Sequence, residues 1–116
     1  MKNIKFEFDK LKVTQPTDKQ LKITNRKSET GEKMTVEEAI TFWRPTHDIE
    51  TLNFSGQNGW EIKAVANKET KEGDIDIYFL QRNSEHPNFG KMTLREEYQQ
   101  SELYKKHTEQ WKKLIK

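Results

Sequence analysis

Two alternating segments joined by a short polar turn constrain this chain more than any other feature in it. Trp60, Ile62, Ala64 and Ala66 share one parity, and Glu61, Lys63 and Val65 share the other. Beyond the polar residues 69–73, Ile75, Ile77 and Phe79 alternate with Asp76, Tyr78 and Leu80. Period-two patterning on both sides of a turn predicts an antiparallel hairpin. A lone hairpin is not stable in water, so the rest of the chain must cover or extend it.

Ile4, Phe6 and Phe8 alternate with Lys5 and Glu7, which predicts a further strand. Leu11 and Val13 then fall on the other parity, which reads as a β-bulge at Asp9-Lys10. Gln15-Pro16-Thr17-Asp18 is turn chemistry. Leu21 and Ile23 alternate again as a second short strand, and residues 25–33 read as an exposed polar loop around Gly31.

Thr35-Val36-Glu37-Glu38 is a capping box that opens a helix through Ala39, Ile40, Phe42 and Trp43. Pro45 lacks a donor N–H and is expected to end or kink it. A second helical stretch then starts near Thr46 or His47, turns Ile49 and Leu52 inward, and stops at Gly56 or Gly59. Thr93-Leu94-Arg95-Glu96 is another capping box, opening a long C-terminal helix. On it Leu94 and Tyr98 lie roughly opposite Leu103, Tyr104, Trp111, Leu114 and Ile115. Either that helix breaks near residues 99–101, or its halves pack against different things.

The expected fold is therefore α+β: a small antiparallel sheet of three to five strands, short helices and a long C-terminal helix. It forms one domain over residues 1–116, with a core at 1–82 and a C-terminal helical extension at 91–116. Only 31% of residues are apolar and 34% are charged, so three Trp, three Tyr and six Phe carry much of the core. The absence of cysteine excludes disulfides, thiolate chemistry and Cys-based zinc sites. A cysteine-free domain this small points to a reducing, cytoplasmic setting. Charges interrupt the first residues too often for a signal peptide, and no stretch has the ~20 apolar residues of a membrane span.

Residues 52–62, Leu-Asn-Phe-Ser-Gly-Gln-Asn-Gly-Trp-Glu-Ile, are the most recognisable stretch. They resemble the signature of a family of small bacterial and phage proteins, the domain-of-unknown-function family numbered 4177. The resemblance runs over roughly residues 48–82, with Ile77-Tyr78-Phe79-Leu80-Gln81-Arg82 fitting the closing strand. The chain departs from the pattern at Ser55, in the segment 9–45 and in the helix after the last strand. The resemblance implies one helix on a small antiparallel sheet, and no activity. Physically, the glycines permit a tight helix-to-strand turn and Trp60 plugs the end of the core.

No catalytic set stands out. Glu61-Ile62-Lys63 has the acid-x-lysine form of metal-dependent nucleases, with Asp48 as the only plausible upstream acid, but Asp48 reads as a helix N-terminus and Glu61 and Lys63 as an ordinary solvent face. Asp74 and Asp76, with Glu69 and Glu72, could offer oxygens to a cation, against the reading of a charged edge strand. His47, His86 and His107 are scattered. His47-Asp48 is an acid–base pair without a nucleophile, and His107 falls on the packing stripe. No catalytic residue, metal ligand, cofactor or small-molecule substrate is assigned.

Both ends are basic around an acidic middle. Residues 1–33 carry nine Lys/Arg against five acids, 34–90 five against ten, and 91–116 seven against four. Leu103, Tyr104, Lys105, Lys106, Trp111, Lys112, Lys113, Leu114 and Ile115 form a basic amphipathic tail, the expected partner-binding segment. The sequence reads best as a non-enzymatic binding protein, a phage or mobile-element accessory that modulates or inhibits a host macromolecule such as a defence nuclease. Its expected partner is a protein or a second copy, with no membrane role. The alternatives are a nucleic-acid-binding module using the basic N- and C-terminal segments, and a small nuclease using Glu61 and Lys63.

Overall fold

In the computed structural model, which describes residues 3–71 and 73–115, the first alternating segment forms β1, Phe6–Gln15. Its register against β3, Gly73–Asn83, is continuous from Phe6↔Asn83 to Gln15↔Asp74. No bulge interrupts Asp9-Lys10. The change of apolar parity that suggested one arises because β1 carries apolar residues on both faces.

The second short strand and the loop expected over residues 21–33 are instead one helix, α1, Asp18–Thr30. Thr17 caps it: its hydroxyl accepts from the Gln20 N–H, and the Gln20 side chain accepts from the Thr17 N–H. Gly31 closes it in the left-handed conformation at φ 75°, where a side chain would be strained. Thr24 is buried and Ile23 is 49% exposed, a helical arrangement rather than the shared face a strand would give Leu21 and Ile23.

α2 runs unbroken over Val36–Gln57, through Pro45. The proline removes one backbone bond. The helix continues because Ala39, Asp48, Thr51 and Ser55 are buried on both sides of it, so tertiary packing outweighs the local loss. Ser55, the departure from the apolar signature, is buried with its hydroxyl donating to the Leu52 carbonyl at 2.6 Å.

Gly59, at φ 82°, turns the chain into β2, Glu61–Thr70. A Cβ there would lie 2.5 Å from the His86 ring, so the turn requires glycine. The expected hairpin forms, and the three-stranded antiparallel sheet has the order β1-β3-β2. The bulge of the sheet lies between Ile62 and Ala64. It places Ile62 beside Leu80 while Ala64 and Ala66 stand beside Phe79 and Ile77, so these three residues do not share a face as their parity suggested.

The long C-terminal helix is two helices, α3 at Leu94–Gln99 and α4 at Glu102–Leu114. Ser101 caps α4, accepting from the Tyr104 N–H at 3.2 Å. The break reconciles the opposed stripes. Leu94 joins Trp60 and Leu80 in the core, flanked by Leu11, Leu52, Phe54 and Tyr78, while α4 packs on α2. All ten residues of β2 are exposed, and the molecule extends over 60 × 30 × 16 Å.

Candidate functional site

The register assigns each parity of the sheet to a face. Leu80 and Arg82 are buried, so the even residues of β3 point toward the helices. Glu7, Asp9, Leu11 and Val13 of β1 share that side. The outer row of β1 is Phe6, Phe8, Lys10 and Lys12, opposite Asn83, Gln81, Phe79 and Ile77 of β3. Phe8 is 73% exposed, Phe6 48% and Phe79 42%. Three aromatic rings thus stand on one uncovered sheet face.

Alternation also separates charge. Glu7, Asp9, Glu69, Asp74 and Asp76 lie on the helix-side parity. The outer parity carries Lys10, Lys12 and Lys68, with Glu61 its one acid among the described residues. Lys63, on the bulge, holds Glu61 at 3.2 Å. The outer face is therefore aromatic and cationic.

The helix side is packed over β1 and β3, while Ile62 and Val65 of β2 stay exposed on that same side. Arg82 is buried and its guanidinium lies 4.3 Å over the Trp60 ring. Its Nη1 donates to Glu97 at 2.8 and 2.9 Å, its Nε to Glu7 at 2.6 Å, and its Nη2 to the Met92 carbonyl at 2.9 Å. Trp60 Nε1 donates to Glu97 at 3.0 Å. Arg82, the basic residue that closes the family-like signature, is structural here.

A second polar chain lies between α2, α3 and α4, beside a groove of about 650 Å³. Arg44 Nε lies 2.7 Å from Asp48 Oδ1, and His47 Nδ1 lies 3.1 Å from the same oxygen. A carboxylate can only accept, so His47 donates to it from Nδ1. The Tyr98 hydroxyl bridges His47 Nε2 and His107 Nδ1, 2.8 Å from each. His107 Nε2 is left without a hydrogen bond, 3.6 Å from Glu50.

Burial pushes the Tyr98 phenol up to about 12, so it stays protonated. Burial, then the nearby His47, lowers the His107 imidazole below its ordinary value. Glu50 is lowered, mainly by its bond from Lys106. One end of this chain closes on Asp48, and the other faces Glu50 across 3.6 Å without a hydrogen bond. The arrangement holds three helices together.

The expected partner-binding segment falls on α4 and the residue after it, where none of its nine residues is buried and several also make contacts within the fold. The Trp111 ring lies 5.3 Å from that of Trp43. Met34 donates its N–H to the Leu114 carbonyl at 2.8 Å and bridges Ile115. Leu103 is half-buried and Tyr104 is 41% exposed, its ring 5.5 Å from Tyr98. Lys105 pairs with Glu102 and Lys106 with Glu50, while Lys112 and Lys113 are exposed. The basic tail's Lys116 and the start of the N-terminal segment, Met1-Lys2, lie outside the described residues.

The nuclease pairing does not assemble. Asp48 accepts from the Thr14 N–H at 3.1 Å, on β1, whereas Glu61 sits on β2 across the central strand. Thr14 is level with Ile75, and Glu61 with Gln81, a further six residues or about 20 Å along the sheet. Asp76 is held by Gln15 and Asn67. Glu72 lies outside the described residues. Among the described residues no group of three or more His, Asp or Glu converges as metal ligands.

Sequence reasoning missed the outer sheet face. Its signal was the unbroken even-numbered row Phe6, Phe8, Lys10, Lys12, obscured because Leu11 and Val13 drew attention to the odd row. Compared with known proteins, the chain matches no family model, no curated protein and no solved structure.

Proposed function

We propose that this chain is a non-enzymatic binding protein whose working surface is the outer face of the sheet. The observation that carries this reading is the exposure of Phe8, at 73%, in a row with Phe6 and Phe79. Monomeric proteins seldom leave clustered aromatic side chains in water unless a partner covers them. The core does not need these rings, because the sheet is already packed on its other face by Trp60, Leu80 and Leu94. A binding role fits the expectation of an accessory protein that modulates a host macromolecule, with its contact surface on the sheet rather than on α4.

Photo-cross-linking tests the surface without presupposing the partner. With p-benzoylphenylalanine in place of Phe8, a discrete cross-linked macromolecular product should appear in extract of the source cell. The same residue in place of Lys22, on the exposed side of α1, should give none. Equal yields at both positions would refute the assignment of this face.

A further inference from the structure

We infer that the outer sheet face binds single-stranded RNA, stacking its bases on Phe6, Phe8 and Phe79 with Lys10, Lys12 and Lys68 along its phosphates. This rests on the face being the working surface, and it names the partner.

Three observations select this occupant. First, the exposed rings sit on strands, not in a pocket. Phe6 and Phe8 are two residues apart on β1, about 6.8 Å at ~3.4 Å per residue. That is roughly twice the ~3.4 Å spacing of stacked bases, so the rings suit bases splayed apart rather than a closed duplex. Phe79 stands on the neighbouring strand, opposite Lys10 and one step diagonal from Phe8. Three rings on an open sheet offer platforms for roughly two or three bases.

Second, the charge on this face is matched to a polyanion. Lys10 and Lys12 continue the aromatic row along β1, and Lys68 on β2 lies farther along in the same direction, level with Ile75. The sheet acids lie on the opposite parity apart from Glu61, which Lys63 already holds. A protein partner buried on these rings would have to neutralise the same lysines, whereas a phosphate backbone does so at every step.

Third, Gln81 lies directly opposite Phe8, on the same face. Its amide offers a donor and an acceptor beside a stacking ring. Those are the groups that read a base edge and the ribose 2′-hydroxyl, the feature that separates RNA from DNA.

The test uses the full chain and fluorescein-labelled oligouridine, the matching oligodeoxythymidine, and an RNA duplex of equal length. Fluorescence anisotropy should give the tightest binding to oligouridine, weakening with salt at a slope near −2 for three phosphate contacts at about −0.7 each. Lys12→Ala should flatten that slope by about 0.7. Phe8→Ala should weaken binding roughly 5- to 150-fold, the range for losing one base–aromatic stack.

Phe8→Leu and Phe8→Tyr separate stacking from apolar docking. Leucine keeps apolar bulk but has no ring, so it should bind as poorly as alanine; tyrosine should bind like the parent. Phe8 is mostly exposed, so these variants should melt at the parent temperature, which circular dichroism checks. Equal affinity for the duplex or for oligodeoxythymidine would overturn the single-stranded RNA assignment, as would insensitivity to Phe8→Ala. Absence of RNA binding together with a protein cross-link from position 8 would overturn the RNA partner while leaving the surface assignment standing. Absence of both would remove the two together.

Discussion

Arg82 and Glu97 form a buried ion pair, Nη1 to Oε1 at 2.8 Å, that ties the end of β3 to α3. Glu97 also accepts from the Trp60 indole and from Asn88, so one carboxylate joins the hairpin, the connecting loop and α3. Breaking such a pair from one side leaves a charge stranded away from water. Glu97→Ala should therefore cost about 3–5 kcal/mol in chemical denaturation. A loss under about 1 kcal/mol, the size of a surface ion pair, would mean that solvent reaches Arg82.

Trp60 is 4% exposed and sits between the Arg82 guanidinium and the Leu80–Leu94 cluster. Truncation removes a large apolar ring and the indole donor that serves Glu97. Trp60→Ala should destabilise the chain by about 3–5 kcal/mol. Unchanged thermal stability would show that the signature turn does not close the core.

Removal of residues 103–116 exposes Met34, which is 2% exposed in the intact chain, and strips Trp43 of its contact with Trp111. The truncated chain should melt well below the parent or fail to fold. A truncated chain with the parent melting temperature, deficient only in association, would instead make α4 an interaction arm.

His107 makes stability depend on pH. Its imidazole is held below the ordinary value of 6.5 by burial and by His47. Between the folded value and 6.5 the unfolded chain binds the extra proton, so acid favours unfolding there. The contribution is complete above 6.5 and is lost as pH falls through the folded value. Thermal melts should show the parent losing stability in that window more steeply than His107→Gln. Parallel slopes would assign the acid response to other groups.

What the sequence made legible depended on how local each cause was. The hairpin, the Thr35 and Thr93 capping boxes and the burial of Trp60 follow from spacing and turn chemistry, and the structure has them. α1 was hidden because Thr17 and Gln20 form a capping box with glutamine, inside a segment whose Pro16 and Asp18 also suit a turn. Continuity through Pro45 was hidden because it depends on distant packing at Asp48, Thr51 and Ser55. The break at Ser101 was visible only as two stripes on opposite sides. The outer face was the least legible, because parity sorts residues into two faces but does not say which face the helices cover.

An amide chemical-shift titration of the labelled chain with single-stranded oligouridine tests most directly whether the outer sheet face binds RNA. The perturbed amides should concentrate at Phe6, Phe8, Lys10, Lys12, Phe79 and Gln81, with Lys105, Lys106, Lys112 and Lys113 unmoved. Perturbations centred on those four α4 lysines, or none on the sheet at saturating oligonucleotide, would contradict RNA binding at this face.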